Sequence, residues 1–131
     1  MTELLNQLEK SELLHRQVHP NMVQKGRPSS KIFTPTAKDQ GKLSSDRANL
    51  LSAKDAYERY LAKKNLVEAG GAWGVTVEEF NSAGLPCYSN PVEGNEAHAL
   101  TDFKASSDDL ETLGAIAYRA AIARGRLWPA S

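Results

Sequence analysis

Cysteine is almost absent from this chain: Cys87 is the only one in 131 residues. A lone cysteine excludes an intrachain disulfide, and a thiolate metal site goes with it. That usage points to a reducing cytoplasm. Long apolar runs are missing too, and none approaches the ~18 residues that a membrane span needs. The opening MTELLNQLEK lacks the basic start and continuous apolar segment of a secretory leader. A soluble cytoplasmic protein without a membrane partner is therefore expected. There is no excess of one charge, since sixteen Lys and Arg balance sixteen Asp and Glu. That balance argues against wholesale attraction to nucleic acid or anionic lipid. The chain also lacks GxxxxGK[ST], HExxH, GxSxG and the glycine fingerprint of a dinucleotide fold. No phosphate-cradling loop, familiar zinc site or hydrolase elbow follows from it, and no cofactor is implied.

What is present is unevenly spread. Net charge is −2 over residues 1–14, +5 over 15–55 and −3 over 56–131. The basic excess overlaps the stretch His15–Ser45, which holds two of the three histidines and three of the six prolines. That stretch has little helical periodicity, so its polar residues are not simply the wet side of a helix.

The pattern of elements is mixed. Thr2 can cap a helix over about 3–14, with Leu4, Leu5 and Leu8 on one side, packed on the domain or free to dock a partner. Leu14–Val18 alternates as a short strand ended by His19-Pro20, and a turn of helix over 21–26 closes at Gly26. Lys31–Thr34 leans to β structure, 37–41 reads as a polar turn, and Lys42–Ser44 as extended chain. From Ser52 a helix places Ala53, Ala56, Tyr57, Tyr60 and Leu61 on one face. Ala72–Val75 reads as a strand, and Thr76 to Glu79 as a capping box opening a short helix to Ala83, with a longer strand through Val77 as the alternative. Residues 85–96 read as loop and 97–103 as strand. Ser107 begins the longest helix, which runs to Arg124 through Leu110, Leu113, Ala117 and Ala121, and the tail with Trp128 folds back. Together these predict one α+β domain over 1–131, a small sheet of short strands against two or three helices.

Candidate chemistry concentrates in 15–47. His15 and His19 stand four apart, but Pro20 and the alternating pattern deny them a shared helix face, so no metal site is expected. Arg16 offers a fork of donors for phosphate or carboxylate, and His19 can donate or exchange a proton near neutrality. Arg27, Ser30 and Lys42 add donors, Phe33 can stack on a base or sugar, and Asp39 can hold Arg16 or His19 in place. Converging, these groups make an anion pocket; dispersed, they are a solvated basic surface. Cys87 follows Pro86 with no His or Lys beside it to activate the thiol.

The run Leu14-His15-Arg16-Gln17-Val18-His19-Pro20 resembles the opening strand of small ADP-ribosyltransferase-like toxins. In that family an arginine or histidine on the first strand contacts NAD and a serine-bearing strand follows, which the resemblance maps to Arg16 and Ser30. The likeness covers residues 14–30 and does not extend to the family's late catalytic glutamate or glutamine. Two functions follow as expectations. One is a small binding module, of the immunity, antitoxin or adaptor kind, whose basic 15–47 surface takes an anionic ligand or acidic protein partner. The other is a small nucleotide-using enzyme, ADP-ribosyltransferase-like or nuclease-like, with Arg16, His19 and Ser30 in the site.

Overall fold

The computed structural model describes residues 7–129, and their strands pair into an antiparallel five-stranded sheet with a separate small hairpin. In chain order the strands are β1 Leu13–Gln17, β2 Val23–Gln24, β3 Arg27–Pro28, β4 Lys42–Arg47, β5 Ala72–Thr76, β6 Cys87–Ser89 and β7 His98–Asp102. The helices are α1 Ala53–Lys64, α2 Val77–Ser82 and α3 Leu110–Arg124. The sheet order is β5-β1-β4-β7-β6, so β1 and β4 lie side by side near its middle. The fold class is α+β, as the element pattern predicts.

Residues paired across antiparallel strands share a face of the sheet. One face carries Leu14, Val18, Leu43, Val75 and Ala99, and the main core forms there with Phe33, Phe80, Phe103 and the buried stripe Leu113, Ala117 and Ala121 of α3. Gly114 lets α3 come close, because a Cβ there would run into Thr34. The other face carries His15, Gln17, Asp46, Ser44 and His98, and α1 packs over its β5–β1 half. Leu51, Ala56 and Ala97 form a smaller apolar cluster on the α1 side.

The caps act as the sequence predicts in the middle of the chain. Ser52 accepts from Asp55 N–H to open α1, and Thr76 and Glu79 complete a reciprocal capping box for α2. The longest helix is capped by Asp109 and not by Ser107, since the Asp109 carboxylate accepts from Thr112 N–H at 2.7 Å. The tail does fold back, with Ala72 and Trp128 bridging along the free edge of β5 and Lys54 over the indole.

Four local expectations give way. Residues 3–6 of the anticipated N-terminal helix lie outside the described residues, and 7–12 are not helical: Gln7 bridges to Tyr88 on the edge of β6. The span 21–26 is a 3-10 turn at Pro20–Met22 leading into the β2–β3 hairpin, whose turn residues Lys25 and Gly26 both take positive φ. That is the geometry of a tight two-residue hairpin turn, and it suits glycine. Lys31–Thr34 forms turns and not a strand, because Ile32 and Phe33 are drawn into the core. The 85–96 loop contains β6, held by pairing to β7.

Cys87 lies on β6 with its sulfur 3.3 Å from Thr101 Oγ1. Burial pushes its thiol pKa up to about 11, against a smaller lowering by that hydrogen bond. In the native protein a maleimide reagent at neutral pH should leave Cys87 unlabelled, and denaturant should expose it to complete reaction. Rapid labelling of folded protein would show that β6 opens on its own.

A bidentate ion pair closes one end of the β1–β4 junction. Arg47 Nε and Nη2 each donate to Glu12 at 3.0 Å, and the Glu12 side chain is only 1 % exposed. Removing one member leaves a buried charge unpaired, so Glu12→Ala should cost about 3–5 kcal/mol in denaturant unfolding. Replacing both residues by well-packed apolar ones should recover most of that loss. A loss below about 1 kcal/mol for the single change would mean that water solvates Arg47 fully when its partner is gone.

Candidate functional site

The junction of β1 and β4 positions the site. The two strands pair only at Leu14↔Arg47 and His15↔Asp46. Beyond that point each strand stays with its outer neighbour. Arg16 and Gln17 continue against Trp73 and Ala72, and Val18 exchanges hydrogen bonds with Gly70 and Gly71 at 2.7 and 3.0 Å. Ser45, Ser44, Leu43 and Lys42 continue against β7. The ladder therefore splits, and the next residues in register, Arg16 and Gln17 on one side and Ser45 and Ser44 on the other, become the walls of a cleft.

The cleft has two lobes. One, of about 240 Å³, is lined by the strand residues from His15 to Gln17 and Ser44 to Asp46, together with Tyr60 and His98. The other, of about 210 Å³, runs under α1 and shares Gln17, Asp46 and Tyr60 while adding Arg59, Lys63 and Asn95. Each alone is smaller than the ~300–1,000 Å³ of ordinary small-molecule sites, and together they reach that range.

The electrostatics of the cleft centre on Arg16. This half-buried guanidinium donates from Nη1 to the Ile32 carbonyl at 2.6 Å. Burial lowers its pKa, while the charges of Asp39, Tyr60 and Asp46 pull the other way. A guanidinium stays protonated in proteins, so the effect of burial is a cation poorly compensated by its surroundings. Among the described residues Arg47 and Arg124 have carboxylates within ion-pair distance, and Arg16 has none. Burial raises the Tyr60 phenol, with Arg16 opposing it. Asp46 accepts from Asn95 Nδ2 at 2.7 Å. Of the formal charges lining the two lobes, Arg16, Arg59 and Lys63 are positive and Asp46 alone is negative.

Hydrogen-bond satisfaction singles out the same place. His15 Nδ1, both amide atoms of Gln17 and Ser45 Oγ are buried without a protein partner, and all three residues line the first lobe. His15 is fully buried with Nε2 2.9 Å from the Leu51 carbonyl. A carbonyl only accepts, so Nε2 carries a proton, and the tautomer with that single proton leaves Nδ1 as an acceptor. His98 is held the other way, with Nδ1 2.9 Å from the Asn90 carbonyl. His15, Asp46 and His98 form one row across β1, β4 and β7. Among the described residues no three His, Cys, Asp or Glu side chains are disposed to hold a metal ion, so this row is not a metal centre.

Of the residues singled out in the sequence, Arg16 alone lines the cleft. His19 caps the 3-10 turn, its Nδ1 accepting from Asn21 N–H at 3.1 Å. Arg27 is exposed and borders a separate surface hollow with Trp73 and Arg126. Ser30 is exposed in a turn, and Phe33 is a core residue, 1 % exposed. Asp39 accepts from Thr36 N–H and Oγ1–H, both at 2.8 Å, and these bonds hold its pKa below the usual carboxylate range. Lys42 is exposed on β4 opposite Asp102. Arg16 and Ser30, the positions matched to ADP-ribosyltransferase-like toxins, do not line a common cleft.

The residues that complete the cleft are Gln17, Ser45, Asp46, Tyr60 and His98. The signal for two of them lies in β1, where His15 and Gln17 repeat polar side chains at the strand period within a strand that pairs on both edges. Tyr60, Asp46 and His98 come from separate elements and carry no local signature. No family model matches the chain, and no curated protein or solved structure shows a significant likeness to it, so the geometry of the cleft stands by itself.

Proposed function

We propose that this protein is a small binding module whose β1–β4 cleft takes a small anionic ligand, with Arg16 as the principal contact. The observation that carries the reading is a half-buried guanidinium without an ion-pair partner among the described residues, in a cleft where cations outnumber carboxylates. An arriving phosphate or carboxylate would supply the missing counter-charge and accept from the fork of donors that Ile32 leaves free. Arg59 and Lys63, exposed on α1, would draw the anion in by longer-range attraction that salt screens.

The row His15, Asp46 and His98 favours a second reading, in which a bound nucleotide is also turned over. Acid and base groups would then sit beside the anion contact. Chromatography of nucleotide incubated with the protein would detect product, and Asp46→Asn should abolish turnover while leaving binding largely intact. Unchanged nucleotide after long incubation would leave the binding module alone.

Calorimetry with inorganic phosphate and nucleoside monophosphates tests the main reading. Arg16→Ala should weaken binding by more than about tenfold, and Arg16→Lys should fall between it and the wild type, because an ammonium keeps the charge but not the fork. Lys42→Ala, outside the cleft, should change affinity by less than about twofold. If folded wild-type protein binds none of these at low salt, the cleft is not an anion site. The exposed Lys25, Arg27, Lys31, Lys38 and Lys42 would then suit an acidic protein partner better.

A further inference from the structure

We infer that the lobe of the cleft beside His15 and Gln17 reads the amino-bearing edge of a nucleobase, so that the ligand is an amino-bearing nucleotide and not merely an anion; this rests on the anion reading of Arg16. The carrying observation is the donor and acceptor pattern left unanswered on one side of β1. Gln17 presents a donor, Nε2, and an acceptor, Oε1, both buried and without protein partners. Two residues away on the same face is the fully buried His15, whose Nδ1 has no partner and is an acceptor in the tautomer that donates from Nε2 to the Leu51 carbonyl.

A ligand that satisfies all three atoms needs two donors and one acceptor on adjoining positions. An exocyclic amine next to an unprotonated ring nitrogen provides that set, as on the amino edges of adenine and cytosine and the N2–N3 edge of guanine. One amine hydrogen goes to Gln17 Oε1, the other to His15 Nδ1, and the ring nitrogen accepts from Gln17 Nε2, the same amide pairing by which glutamine reads adenine in nucleic acids. A keto edge fails at this site. Its oxygen would face the His15 lone pair, and its ring N–H would face the amide Nε2–H unless Gln17 turned over. Turning the amide, which no protein partner holds, repairs both of its contacts and leaves His15 unanswered.

Size and charge agree with this division of labour. Gln17, Asp46 and Tyr60 border both lobes, so a base in one and a phosphate near Arg16 or the Arg59–Lys63 rim would share these three residues.

The test uses the full chain and ligand pairs that differ only at the amino or keto group. Titration calorimetry with adenosine and inosine 5′-monophosphates, and with cytidine and uridine 5′-monophosphates, should show the amino member bound at least about tenfold more tightly in one pair or both. Ribose 5-phosphate should bind more weakly than the preferred nucleotide. Gln17→Leu should weaken the preferred nucleotide by at least about tenfold and abolish its advantage over the keto member of its pair. Equal binding within both pairs, or ribose 5-phosphate as tight as the nucleotides, overturns the edge reading while leaving an anion site in place. If no nucleotide and no phosphate binds, the anion reading itself falls. The amino and keto comparison needs only wild-type protein, so it decides the matter even if Gln17→Leu does not fold.

Discussion

The Glu12–Arg47 ion pair fixes where β1 and β4 join, and the rest of the molecule depends on that joint. Around it the chain is tied tightly: Ala48 N–H donates to Leu13 O, Val77 N–H to Glu12 O and Arg47 N–H to Ala97 O, at 2.8–3.0 Å. Those bonds gather the start of β1, the end of β4 and the approaches to β5 and β7 at one corner. With that corner held, the strands diverge: each continues its ladder with an outer neighbour, while their facing edges part after two residue pairs. A polar cleft in the middle of a sheet results from that parting, with no long loop needed to build one.

A cleft made this way has an energetic signature. Burying a polar group without a partner costs about 1–3 kcal/mol, and proteins accordingly pair nearly all such groups. The chain obeys that rule elsewhere among its described residues: Tyr57, Trp73, Tyr118 and Arg124 all reach backbone carbonyls. The exceptions fall on His15, Gln17 and Ser45, which line one lobe. Random imperfection would scatter such atoms over the fold. Their concentration beside a cation without a carboxylate in ion-pair contact is what marks the lobe as a place for a polar guest.

Much of the fold was legible in the sequence because its local signals were redundant. Ser52 before an apolar stripe gave α1, the Thr76 to Glu79 box gave α2, and the alanine-rich stripe gave α3. Where a signal was local but tertiary contacts outweighed it, the reading slipped. Leu8 suits an amphipathic helix, yet that segment lies along the edge of β6, bonding Leu8 N–H to Cys87 O. Ile32 and Phe33 look like strand residues, yet packing under α3 uses them as core from a turn. The cap of α3 moved by two residues because Ser107, Asp108 and Asp109 are all competent caps and only the surrounding contacts choose among them.

The site was legible only in part, for a geometric reason. A sequence shows which residues are neighbours along a strand, and so Arg16, beside His15 and Gln17, stood out. It does not show where a ladder stops. Had β1 and β4 stayed paired, Arg16 would have faced Ser45 and Gln17 would have faced Ser44, and a closed sheet would have left no cleft between them. The same side chains would then be ordinary sheet residues, answered by their neighbours or by solvent. Function in this fold therefore depends less on which polar residues β1 carries than on β1 leaving β4 after two pairs. Arg16 and Gln17 gain their chemistry from that parting, while the turns after β1 carry His19 and Ser30 to a cap and to the surface and leave Asp39 acting on Arg16 by its charge alone. The basic run of 15–47 is one feature in the chain and three in space: Arg16 at the cleft, Arg47 paired with Glu12, and a set of lysines and an arginine turned out.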